Sequence, residues 1–215
     1  MKNPAIQTVV SIAFALAIAM LVFPSVVLHP GHTIPSIWGD GGKNTFTYLY
    51  HSLYGQGTWF TGMNYPYGEH ITYTDGQPLI SVNLGHLGHI SLPQAMSVLL
   101  WCFLASFMLS IVFINRILLH FKVHPLIALA ASGLIGVMAP QVFGIGGHYA
   151  LGYCCVIPML FYWTIRYREN AHWRYPLYFF LLGITTAFLH PYFWLSSFSG
   201  HYFTASAISL PAKKI

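Results

Sequence analysis

The sequence predicts an all-α membrane protein with about five transmembrane helices and a long, partly helical first outer loop. Two observations predict it. Hydrophobic residues make up 56% of the chain and charged residues only 6%, with a mean hydropathy of +0.61, whereas a soluble domain carries about 25% charge. A water-facing surface cannot be built from so few charges. Apolar stretches also recur at lengths near the roughly 20 helical residues that cross a hydrocarbon core.

The first apolar stretch is 5–28. It is too long for the apolar region of a signal peptide, and no A-x-A-like cleavage site follows, so it reads as an uncleaved anchor. The second is 92–115 and the fifth 175–195. Between them, an uncharged run over 123–165 is divided by "GIGGH" into 125–142 and 149–165, which predicts a tight hairpin of two short spans. Alternating spans put Lys2, Arg116, Lys122, Arg166, Arg168 and Arg174 on one side. The other side has only Lys43 before the tail, so the basic side, with the N-terminus, is predicted cytoplasmic. Residues 29–91 then form one outer loop.

Composition excludes little else. The net charge of +5 reflects scarce acids rather than many bases. No basic run is dense enough to imply nucleic acid as a partner. Cys102, Cys154 and Cys155 lie in apolar runs, without ligand or redox spacing, and read as small buried hydrophobes.

The outer loop is rich in Tyr, Trp, Phe and Gly, unlike a disordered linker. In "KNTFTYLYHSLYGQG", Phe46, Leu49, Tyr50 and Leu53 follow the i, i+3, i+4, i+7 spacing of one helix face. Gly55 and Gly57 can end that helix. It is expected either to lie on the outer membrane surface or to pack on the spans. "NYPYGE" and "TDGQP" are turn signals.

The chain has only four acids, and Asp40, Glu69 and Asp75 fall in this loop. The fourth, Glu169, sits among arginines in "RYREN" and reads as a solvated ion pair. Asp40, in "WGDGG", is expected on a glycine-flanked turn that leaves its carboxylate accessible. For each acid, turn capping is the plain alternative. Glu69 and Asp75 could bind a divalent metal, orient hydroxyl groups or cap turns. Lys43, His148 in "GIGGHYAL" and His190 in "AFLHPYF" are the groups that could meet an anionic ligand outside. A neutral histidine hydrogen-bonded at a helix end is the plain alternative for both imidazoles.

The order of features resembles bacterial integral-membrane glycosyltransferases of the C superfamily, related to protein mannosyltransferases and oligosaccharyltransferases. A first span is followed by an aspartate, a long outer loop with a helix, "GMNYPYGEHITYTDGQPL" and a second span. "APQVFGIGGHYALGYCCVIPMLFYW" is also similar to a branch of that group. The resemblance covers roughly 1–195 and corresponds to the N-terminal portion of such enzymes, which have many more spans. It implies a bacterial inner-membrane protein that takes a sugar from a polyprenyl-phosphate donor, with membrane lipid around it and an acceptor of unspecified identity. Asp40 matches the catalytic acid, and Glu69, Asp75, Lys43, His148 and His190 are the expected substrate-binding residues. The tail 196–215 loses the apolar pattern and is expected to be a truncated or frameshifted end, poorly packed on the rest. A non-catalytic membrane protein, or an inactive fragment of such an enzyme, is the alternative. Transport is disfavoured because the acids lie outside the spans and no internal repeat is visible.

Overall fold

A computed structural model describes residues 4–189. His190 and the tail 196–215, with the expectations placed on them, lie outside the described residues. The fold is mostly helical. Helix α1 is Pro4–Val22, α2 Pro24–Leu28, α3 Gly39–Tyr54, α4 Pro78–Leu87 and α5 Leu92–His120. They are followed by α6 Pro125–Met138, α7 Pro140–Gly144, α8 Val156–Glu169 and α9 Arg174–Ala187. Between α3 and α4, β1 (Trp59–Phe60) pairs antiparallel with β2 (Glu69–His70), facing Phe60 with Glu69.

Proline sets several of these boundaries, because it starts a helix well and cannot continue one. Pro24 separates α2 from α1, Pro125 opens α6 and Pro140 opens α7. Helix α5 begins with a capping box. The Ser91 hydroxyl accepts from Gln94 N, and the Gln94 carboxamide accepts from Ser91 N at 2.9 Å, satisfying two of the helix's free amide donors.

Three helical segments are long and apolar enough to cross a membrane: Ala5–Val22, Leu92–His120 and Pro125–Gly144. The expected fourth and fifth spans are not matched by helices of that length among the described residues, and 190–195 of the fifth lie outside them. Residues 149–165 begin with a 3-10 turn, Tyr149–Gly152, so α8 starts only at Val156. Helices α8 and α9 have 14 residues each, or about 21 Å at the helical rise, short of a core about 30 Å thick.

Helix α5 is the central post and touches α1, α3, α4, α6 and α8. Near its N-terminus, Leu99, Leu100 and Phe103 pack with Tyr48, Tyr149 and Tyr153. Nearer its C-terminus, Phe107 and Ile111 pack with Ala15 and Ala19 of α1. Helix α6 closes on α1 and on this post through small residues. A Cβ added at Gly133 would lie 2.8 Å from the Phe14 ring, and one at Gly136 would lie 2.6 Å from Ile111 Cγ1. Between membrane helices such close approach replaces the missing hydrophobic drive with van der Waals contact.

The loop helix departs from expectation at both its start and its buried face. It begins at Gly39, four residues before the predicted start, so Asp40 belongs to its first turn rather than to a free loop. Its buried side carries Gly41, Asn44, Thr45, Tyr48, Leu49, His51 and Ser52; of the predicted apolar stripe Leu49 is buried, Tyr50 and Leu53 are half-buried and Phe46 is exposed. Tyr48 and Leu49 join the apolar core, and the small and polar residues beside them are buried because α3 also docks through hydrogen bonds.

Candidate functional site

The site grows from the first turns of α3. Trp38 is extended, and Gly39 takes φ +53°, a left-handed conformation that glycine adopts without strain. The chain can therefore turn sharply into the helix, with Asp40 at its positive end, where a carboxylate is favoured. Asp40 is 59% exposed. One turn on, Lys43 Nζ lies 3.8 Å from Asp40 Oδ1. His148 Nε2 lies 3.8 Å from Asp40 Oδ2. Gly41 makes that second approach possible. Any side chain there would collide with the Gly146 carbonyl and hold the "GGHY" loop away.

Beneath this rim is a buried network centred on Asp75. Asp75 and Gln77 both have φ near +54° in the "TDGQP" turn, a conformation that aspartate tolerates. Asn44 Nδ2 donates to Asp75 Oδ2 at 3.0 Å and to the Gly147 carbonyl at 2.6 Å. Gln77 Nε2 donates to Asp75 Oδ1 at 3.0 Å, and the Tyr153 hydroxyl donates to Gln77 Oε1 at 2.8 Å. Thr45 Oγ1 is hydrogen-bonded to the Tyr149 hydroxyl. One acid thus ties α3, the turn before α4 and the loop before α8 together. A buried carboxylate is tolerable only when donors replace its water, and each bond to a charged group contributes about 1.5–3 kcal/mol.

The same face of α3 is fixed lower down. The Tyr48 hydroxyl donates to the Ala95 carbonyl at 2.7 Å, and burial raises its pKa, so it stays a neutral donor. His51 Nδ1 shares a 3.0 Å hydrogen bond with Ser81 Oγ. Burial pushes the His51 pKa below its ordinary value, and a contact with the Gly57 backbone partly offsets this.

A family model described as a domain of unknown function, DUF6311, matches residues 12–205. The chain belongs to that family. No curated protein and no solved structure matches it.

In this DUF6311 chain, three of the residues singled out from sequence, Asp40, Lys43 and His148, meet at one rim. Asp75 lies directly below, engaged by Asn44 and Gln77. Glu69 sits apart on β2, half-buried opposite Phe60, and makes no ion pair among the described residues. No group of three or more His, Cys, Asp or Glu that could hold a metal ion occurs among the described residues. Asn44, Gln77, Tyr149 and Tyr153 were not anticipated. The available signal was helical spacing: Asp40, Asn44 and Tyr48 recur every four residues, a shared face once the helix is started at Gly39.

Proposed function

We propose that this protein transfers a sugar from a polyprenyl-phosphate-linked donor to an acceptor on the outer face of the bacterial inner membrane, with Asp40 as general base. The observation that carries the reading is the solvent-facing Asp40 carboxylate flanked by Lys43 and His148, on a rim fixed from below by the Asp75 network. In this reading the N-terminus is cytoplasmic and 29–91 face outward. Asp40 takes the proton of the acceptor hydroxyl as its oxygen bonds to the sugar's anomeric carbon. The bond from that carbon to the phosphate oxygen breaks, and the phosphate leaves with the electron pair. Lys43 and His148 are placed to offset the negative charge that gathers on the leaving group. The lipid tail lies along exposed apolar surface, with Ile34, Ile37 and Trp38 exposed in the irregular segment just before the site.

The test is transfer of radiolabel from a polyprenyl-phosphate sugar in membranes matched for protein level. Wild-type membranes transfer and Asp40→Asn membranes do not. Equal transfer by the two removes Asp40 from the reaction, and no transfer by the wild type overturns the reading in favour of a non-catalytic membrane protein.

A further inference from the structure

A second polar site lies at the C-terminal end of α5, a helix of 29 residues, about 43 Å long at the helical rise. There α1, α5 and α8 leave a cavity of about 380 Å³, much larger than the roughly 30 Å³ share of one water. Its lining includes Ser11, Asn115, Arg116, His120, Tyr162 and Arg166. Polar groups at the end of an otherwise apolar bundle call for an occupant.

Asn115 indicates one part of that occupant. The residue is 3% exposed. Its Nδ2 donates to Ser11 Oγ at 2.6 Å, and the Ser11 hydroxyl in turn donates to the Gln7 carbonyl at 2.8 Å. The Ser11 proton is thus spent, which fixes the carboxamide with its oxygen away from Ser11. Asn115 Oδ1 has no hydrogen-bond partner among the described residues. A buried acceptor of this kind wants a donor, such as a ligand hydroxyl.

The arginines indicate the other part. Arg116 Nη2 donates to Thr8 Oγ1 at 3.1 Å, and the guanidinium lies 5.8 Å and 5.9 Å from the Phe113 and Tyr162 ring centres. These contacts hold it in place with further N–H donors to offer. Arg166 Nη1 donates to Glu169 at 2.8 Å, and His120 Nε2 is 3.3 Å from the same carboxylate. Glu169 is the sole acid after residue 75, so two guanidinium groups face one carboxylate and the site stays cationic. Ile6 and Val9 on α1 and Phe161 on α8, exposed beside the lining residues, offer acyl chains an apolar surface.

We infer that this cavity binds a phosphate ester that also carries a free hydroxyl, supplied by the headgroup of an anionic phospholipid such as phosphatidylglycerol. The arginines take the phosphate, and Asn115 Oδ1 accepts from the hydroxyl. Basic pockets between membrane helices bind anionic headgroups on this principle. The site is independent of the proposed sugar transfer.

Native mass spectrometry of the full chain in detergent tests it, because only folded protein is counted. Phosphatidylglycerol and phosphatidylcholine with identical acyl chains are titrated separately, and free glycerol phosphate is added as a competitor. Wild type retains the anionic lipid in preference, and Arg116→Gln or Arg166→Gln each lowers that preference about fivefold. Arg166→Gln leaves the Arg116–Thr8 bond to α1 in place and guards against loosening of the bundle by Arg116→Gln. Asn115→Asp, which sets a carboxylate against the phosphate, abolishes the preference, while Arg116→Lys keeps most of it. Displacement of the lipid by glycerol phosphate at equal concentration keeps the site and makes its occupant a soluble ester. Equal retention of the two lipids by wild type, or a preference unchanged in Arg116→Gln, Arg166→Gln and Asn115→Asp, overturns the inference.

Discussion

The rim and the underside of α3 each carry one carboxylate, and the two are held in opposite ways. Asp40 faces solvent, with Lys43 and His148 each at 3.8 Å and no hydrogen bond from either. Asp75 is 9% exposed and accepts from two amide side chains at 3.0 Å. A carboxylate wrapped in donors stabilises the arrangement it sits in and has little capacity to take a substrate's proton. A solvated one contributes little to stability but can meet a ligand. Proximity in sequence and in space therefore does not make two acids partners in one reaction.

The sharpest way to break this contrast is to neutralise each acid in turn. Asp40→Asn keeps the shape and removes the base, so transfer should fall on the order of 10²–10⁴-fold. Its melting temperature in detergent should match wild type. Asp75→Ala should do the reverse at the level of the fold. It strands the Gln77 amide, leaves Asn44 with the Gly147 carbonyl alone and should cost about 3 kcal/mol, read as earlier thermal unfolding and faster proteolysis of the 29–91 region. A stable Asp75→Ala protein that lost only transfer would move the chemistry from the rim to the underside.

The sequence made some of this legible and hid the rest for physical reasons. Hydropathy marked α1, α5 and the α6–α7 segment because each has a continuous apolar run of spanning length. Residues 149–165 are equally uncharged, yet hydropathy does not register that Gly144, Gly146, Gly147 and Gly152 let the chain leave the helix. The rim was legible as a shortage: with four acids and few outer cations, Asp40, Lys43 and His148 stood out. Asn44, Gln77 and Tyr153 carry no charge and follow no motif. Their roles exist only once three distant segments meet. The apolar stripe was legible only in part: Leu49 is buried and Tyr50 and Leu53 are half-buried, but Phe46 is exposed, because periodicity finds apolar residues and does not register the polar ones, such as Asn44 and His51, that also dock this helix.

A smaller change probes the outer edge of the network. Tyr153→Phe removes the hydroxyl that donates to Gln77 Oε1 and leaves the ring packed on Phe103. The expected loss is about 1 kcal/mol, with transfer unchanged at a temperature well below unfolding. A loss as large as that of Asp75→Ala would make the tyrosine, rather than the acid, the centre of the underside.

The smallest expected effect is a pH dependence that separates the buried face of α3 from its solvated rim. His51 is 1% exposed, on the side of the helix that carries Asn44 and Tyr48. Its pKa lies below the ordinary value of 6.5, chiefly because burial disfavours the charged ring. Between the lowered folded value and the unfolded one near 6.5, the unfolded chain binds more protons. The stability contributed by neutral His51 is therefore complete above about pH 6.5 and declines as the pH falls toward the folded pKa, by less than about 1.4 kcal/mol per pH unit for one group. Gln at this position can still hydrogen-bond Ser81 and cannot titrate. The melting temperature of His51→Gln in detergent, measured from about pH 7.5 down to about pH 5.5, should fall less steeply than that of wild type. Equal slopes would mean that His51 takes up a proton as readily in the fold as out of it, and that the underside of α3 is as open to water as its rim.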